Sequence, residues 1–105
     1  MNALDHLPTI IKRLQQALHP QRILLFGSYA TGSATADSDL DLLVIMHHID
    51  DPMTATLTAL RACADLPVAK DIIVTDQQRL SLRQRMPHTI EAEALHTGRE
   101  VFHAA

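Results

Sequence analysis

The segment Asp37-Ser38-Asp39-Leu40-Asp41 places a carboxylate at every second position. On an extended chain each residue rises ~3.4 Å, so Asp39 and Asp41 share a face and stand ~7 Å apart. Like charges held that close repel and raise each other's proton affinity, and a purely structural strand gains nothing from that. Mg²⁺ does gain, because it takes one or two carboxylates and completes its shell with phosphate and water oxygens. A solvated edge strand is the plainer reading of a lone D-x-D, and three neighbours weigh against it. Leu40, Leu42, Val44 and Met46 alternate with the acids and form a wholly apolar face, so the strand belongs to a packed sheet. Gly27-Ser28 directly follows another apolar run, where open α/β sheets set their ligand-binding turns. Asp71 interrupts a third apolar run, where a carboxylate is costly unless it is paired or binds metal.

Other motif readings fail. Asp37-x-Asp39-x-Asp41 imitates the start of an EF-hand loop, but Leu42 stands where Gly is required and His48 where Glu is required. Gly27–Ser33 is rich in Gly and Ser but lacks the G-K-[ST] of a P-loop. The chain is too short for the usual nucleotide-sugar domains of a D-x-D glycosyltransferase with an acceptor site. His47 and His48 are adjacent on a strand and cannot converge on one zinc ion.

The elements that must position these residues follow from periodicity. Leu7, Ile10, Ile11, Leu14 and Leu18 have helical spacing, with Pro8 in the first turn and Pro20 beyond the last. Arg22–Phe26 is a short apolar strand, followed by the small-residue stretch Tyr29–Ala36. Leu40–Met46 is the second strand. Asp51-Pro52 caps and opens a helix through Met53, Leu57, Leu60 and Ala64, which Pro67 ends. Val68–Val74 is the third strand, rich in β-branched residues. Thr75 or Asp76 caps a helix carrying Leu80, Leu82 and Met86, broken by Pro87. Thr89–Thr97 is the last helix, with Gly98 after its end and a small terminal strand at Glu100–Phe102. The order predicts an α/β (α+β) fold: one small mixed sheet with helices mainly on one face.

Composition narrows the class. The chain has 105 residues, expected to form a single domain over 1–105. Hydrophobic residues make up 47%, which argues against disorder, while aromatics make up 3%, so Leu, Ile, Val, Met and Ala must fill the core. A net charge of −3 gives no broad basic face, and direct nucleic-acid binding is not expected. The lone Cys63 allows no internal disulfide and reads as a small buried residue. No apolar run is long enough to span a membrane and the N-terminus has no signal-peptide pattern, so the expected location is the cytoplasm.

Gly27-Ser28-Tyr29-Ala30-Thr31-Gly32, followed by Ser38-Asp39-Leu40-Asp41-Leu42-Leu43-Val44, resembles the signature of the DNA polymerase β-like nucleotidyltransferases. Within them the chain is similar to the minimal nucleotidyltransferases, the MntA-like antitoxin group. The resemblance runs from the leading helix through RILLFGS to the ending HTGREVF. It implies that Asp39 and Asp41 bind two Mg²⁺ ions, that Asp71 completes one metal site and acts as general base, and that ATP donates the nucleotide. It also implies that Gly27 and Ser28 contact the phosphates. Gly32 is a turn glycine or a ligand contact, and Ser38 contacts the nucleotide or simply orients the aspartates. Tyr29 reads as a half-buried packing residue or a nucleotide neighbour, and Lys70 as solvated or salt-bridged. Thr31 stands where many relatives carry a basic residue, so one phosphate contact of the family is not carried over. The related antitoxins transfer AMP to a tyrosine of a HEPN-domain toxin, which makes such a toxin the implied partner. Two alternatives stay open: an antitoxin acting by contact alone, and a nucleotide-binding regulatory subunit. The oligomeric state is open as well.

Overall fold

The computed structural model describes residues 2–105. Helix α1 (Leu7–Leu18) carries Pro8 in its first turn and buries Leu7, Ile10 and Leu14. It is stopped by His19 in the left-handed conformation, φ 53°, ahead of Pro20. Strand β1 (Arg22–Phe26) leads through Gly27 into the single-turn helix α2 (Ser28–Thr31). Strand β2 (Leu40–Met46) follows, then helix α3 (Pro52–Ala62) and strand β3 (Lys70–Asp76). Helices α4 (Gln77–Arg83) and α5 (Ile90–Thr97) precede strand β4 (Arg99–His103).

The four strands form one mixed sheet in the order β3-β2-β1-β4. The β1–β2 and β1–β4 pairs are antiparallel, and β2–β3 is parallel, joined by the α3 crossover that a parallel pair requires. The third strand begins two residues later than its apolar run and ends at Asp76. Its limits are set by pairing, since Lys70–Asp76 register against Leu40–Met46, while Val68 turns back onto Leu66.

Both sheet faces are covered, unequally. The two longest helices, α1 and α3, share one face and close the main core over Leu40, Leu42, Val44, Ile23, Leu25, Ile72 and Val74. Cys63 is buried in that core, and burial pushes its thiol pKa up. On the other face the shorter α4 and α5 bury Leu24, Phe26, Leu43, Ile45, Leu80 and Ala94. Leu42 through Ile45 are therefore all buried, and the polar–apolar alternation of β2 holds only around its acids. Of the apolar residues read on the helix after Thr75 or Asp76, Leu80 is buried, while Leu82 and Met86 are 65% and 51% exposed. The helix ends at Arg83, so its inward stripe is too short to reach past Leu80.

Buried polar contacts anchor the second layer. The Asp76 carboxylate caps α4 by accepting from the Arg79 N–H at 2.9 Å and from the Ile49 N–H at 3.1 Å. The Arg79 guanidinium donates to it at 2.7 Å. Burial alone would raise the Asp76 pKa, but these donors outweigh it and hold the carboxyl below its ordinary range. Buried Glu91 on α5 accepts from Thr75 Oγ1 on β3 and from Arg83 Nε on α4, both at 3.1 Å. Thr89 caps α5, accepting from the Ala92 N–H.

Gly98 follows α5 with φ −87°, so positive φ is not what requires glycine there. A Cβ would run into the carbonyl oxygens of Ala94 and Leu25, which hold α5 against β1. Gly98→Ala is expected to cost about 1–3 kcal/mol, the range for overpacking a tight contact, and chemical denaturation checks it. Among the described residues, no helix is long and apolar enough to cross a membrane.

Candidate active site

The site is assembled at the start of β2. Parallel pairing sets Asp41 directly opposite Asp71 on β3, and antiparallel pairing sets Asp41 opposite Phe26, the residue before Gly27. The sheet thus brings together the Gly-Ser turn, the D-x-D segment and the third aspartate from three separate parts of the chain. Asp39 lies just ahead of β2 and is exposed, while Asp41 is half-buried. Asp71 is exposed on an edge strand, so its carboxylate is solvated and carries no burial cost. The expectation that a carboxylate interrupting this apolar run is costly unless it is paired or binds metal is thereby corrected. What brings it to the site is register.

Burial, then the charges of Asp71 and Asp39, and then that of Glu93 on α5, raise the pKa of Asp41 above the ordinary aspartate value. Glu93 was not singled out by any spacing in the sequence. No motif links α5 to the D-x-D segment, and only the packing of α5 on the sheet reveals the proximity. In a carboxyl-carbon NMR titration, Asp41 should titrate above an ordinary aspartate. Removing the neighbouring charge with Asp71→Asn should lower that midpoint, because one like charge no longer opposes ionisation.

Gly27 has φ 72° and ψ −154°, a conformation closed to residues with a Cβ. A Cβ on it would also overlap Oδ2 of Asp41. The glycine thus admits the Asp41 carboxylate against the turn. Ser28 opens α2 immediately after it. Gly32 ends α2 at φ 81°, its N–H bonded to the Ser28 carbonyl, with no atom near where a Cβ would sit. Backbone conformation accounts for this glycine. Ser38 Oγ accepts from the Thr35 N–H at 2.8 Å and closes the turn that delivers Asp39. Tyr29 is half-buried against the main core. Lys70 turns away from the acids, and its Nζ caps the carbonyls of Leu66 and Val68 rather than being solvated or ion-paired.

The donor set consists of hard carboxylate oxygens on an open rim. Among the described residues, no three or more His, Cys, Asp or Glu side chains are gathered closely enough to hold a metal ion between them. Such a rim suits Mg²⁺, which is commonly held by one or two carboxylates plus substrate phosphates, and does not suit a closed structural site.

A four-stranded mixed sheet with a glycine turn beside paired strand carboxylates defines a nucleotide-transfer class of fold. Residues 7–96 match the nucleotidyltransferase domain family, and the chain belongs to that family. No curated protein sequence matches it. Among solved structures it is similar to a chain of a toxin–antitoxin complex with AMP-PNP, at TM-score 0.67 and 23% identity over 99% of this chain and 75% of that one. It is also similar to a chain of a Shewanella oneidensis complex described as a tri-AMPylated HEPN toxin with its MNT antitoxin. There the TM-score is 0.62 and the identity 21%, over 98% of this chain and 74% of that one. An MntA-HpeT toxin–antitoxin mutant gives TM-score 0.64 and 22% identity, over 99% and 75%. These likenesses establish the minimal nucleotidyltransferase fold.

Proposed function

We propose that residues 1–105 act as a single minimal nucleotidyltransferase that moves AMP from ATP onto a tyrosine hydroxyl of a HEPN-type toxin, as the cytoplasmic antitoxin of a toxin–antitoxin pair. One observation carries the chemical part: the register that sets Asp41 opposite Asp71, with the Asp41 carboxylate against Gly27. The partner reading is supported by the toxin–antitoxin complexes in which similar chains are found.

In this reading Asp39, Asp41 and Asp71 would hold Mg²⁺, which when bound supplies charge neutralisation for the triphosphate and the leaving pyrophosphate. Gly27 and Ser28 lie against the phosphates, and Ser38 fixes the loop that presents Asp39. The acceptor oxygen attacks the α-phosphorus. The bond to the bridging oxygen breaks, pyrophosphate leaves, and the hydroxyl proton passes to the exposed Asp71 carboxylate.

The test is incubation of the chain with ATP labelled on its α-phosphate, Mg²⁺ and a purified HEPN-domain protein. Label on a toxin tyrosine, lost with Asp41→Ala, is the expected result. Toxin neutralised equally by both proteins, with no label transferred by either, would leave the contact-only antitoxin as the function.

A further inference from the structure

Lys70 opens β3, one residue before Asp71, and the proposed chemistry leaves it unused. The residue is half-buried, and its ammonium donates to the Leu66 carbonyl at 3.2 Å and to the Val68 carbonyl at 3.1 Å. Both carbonyls belong to residues 63–69, the connection from α3. Within that connection the Leu66 N–H bonds to the Cys63 carbonyl and the Val68 N–H to the Leu66 carbonyl. The chain then joins the sheet at once, because the Ala69 carbonyl accepts from the Leu40 N–H at 3.0 Å. Lys70 thus closes the connection back onto the first residue of the strand it leads into. Hydrogen bonds from an ammonium are charge-assisted and roughly twice as strong as neutral ones.

Asp71 depends on that start. It is exposed on an edge strand, one residue inside its end, so neither packing nor a second flanking strand fixes it. The first rungs of the parallel ladder hold it, Leu40 opposite Lys70 and Asp41 opposite Asp71. Strand ends are where such ladders open first. Thr56 on α3 secures the middle of β3 from the outer edge, accepting from the Val74 N–H at 3.2 Å. The N–H of Val74 points outward, so by alternation those of Asp71, Ile73 and Thr75 face β2.

We propose that Lys70 is a positioning residue for the third carboxylate: by tying the turn at 66–69 to the start of β3, it fixes the rung that sets Asp71 opposite Asp41. The inference rests on the transfer reading, in which Asp71 shares a divalent ion and takes the acceptor proton. Successive side chains of a strand point to opposite faces, so the effect passes through the backbone and not through the charge of Lys70. A lysine that merely stabilised its turn would lower stability without moving Asp71 relative to Asp41.

Lys70→Met keeps the length and removes the donors, while Lys70→Arg keeps a cation with several donors. Hydrogen exchange of the metal-free chain is the first readout. In Lys70→Met the amides of Asp71 and Ile73 should exchange about tenfold faster, with Thr75 unchanged, as local opening requires. Broadening of carboxyl-carbon NMR signals by ATP with trace Mn²⁺ is the second. Asp39 and Asp41 should stay broadened, while the broadening of Asp71 returns only at about tenfold higher Mn²⁺, the lower end of what losing a group that orients a metal ligand costs. Lys70→Arg should restore both. Arg13→Met is the comparison, since Arg13 ties α1 to the Ala62 carbonyl and Asp65, ahead of the turn. It should lower Tm and leave Asp71 unchanged. Equal acceleration at Asp71 and Thr75, Asp71 broadened as in the unmodified chain, or an equal effect from Arg13→Met would overturn the proposal. No broadening of Asp71 in the unmodified chain would instead overturn the transfer reading, and the exchange comparison would still decide whether Lys70 holds the start of the strand.

Discussion

Asp41→Asn should stabilise the fold at neutral pH while removing nucleotidyl transfer. Burial and the charges of Asp71, Asp39 and Glu93 all oppose ionisation of Asp41. Its folded pKa lies above the unfolded value, so charging this group disfavours the folded state. The penalty is absent below the unfolded pKa, grows as pH rises between the two values, and is complete above the folded one. Asn keeps the shape and removes the charge. Like charges opposite each other on neighbouring strands cost on the order of 0.5 kcal/mol, which corresponds to roughly 2–4 °C in Tm for a domain of this size. Thermal melts should show that gain at pH 7 and lose it at pH 3. Under the proposed function the same variant loses transfer by on the order of 10³-fold, the scale of removing one preorganised electrostatic group. A variant both more stable and inactive marks a site where repulsion is retained for chemistry. Equal or lower stability at pH 7 would show that the three acids do not oppose one another.

Gly27→Ala should do the reverse of stabilising, for two separable reasons. The backbone at φ 72° and ψ −154° belongs to a region kept for glycine, and forcing a Cβ into it costs about 1–3 kcal/mol. The new methyl would also occupy the place of Asp41 Oδ2, so the carboxylate must swing away. A displacement of about 1 Å at a reacting centre is worth roughly 10²-fold in rate, which is the expected drop in transfer. In an Asp41→Ala background the second cause vanishes, and the stability cost of Gly27→Ala should shrink toward the backbone part alone. A double-mutant cycle by denaturant unfolding measures that coupling. Strict additivity would mean that Gly27 and Asp41 do not share this space.

The fold was legible where local signals were complete. Arg22–Phe26 and Leu40–Met46 are apolar runs with sharp polar ends, and both strands keep those limits. Asp51 caps α3 as its position before Pro52 predicts, Asp76 rather than Thr75 caps α4, and Thr89, read as the first residue of the last helix, turns out to be its cap. What depended on partners was less visible. The limits of β3 come from its register with β2, which no local run encodes. The second core over Leu43 and Ile45 required knowing that α4 and α5 fold back across the carboxylate face.

The site divides in the same way. Asp39 and Asp41 could be named from residue type and spacing, because like charges held close are costly without a use; Asp71 was named on the cost of an acid in an apolar run, which its exposure removes, and only register brings it opposite Asp41. Glu93 could not be named, since its nearness to Asp41 exists only after α5 packs. Gly27 was legible as a turn glycine. That its missing Cβ makes room for Asp41 was not, because fourteen positions of chain separate the two residues and only the β1–β2 pairing brings them together.

The central claim is that the carboxylates beside Gly27 take a divalent ion together with a nucleotide. Mn²⁺ substituted for Mg²⁺ broadens the NMR signals of nearby nuclei, so carboxyl-carbon spectra recorded with ATP and trace Mn²⁺ test it most directly. The account predicts broadening confined to Asp39, Asp41 and Asp71 that disappears in Asp41→Asn. Broadening centred on other acids, such as Asp50 or Asp65, with that trio left sharp, would contradict it.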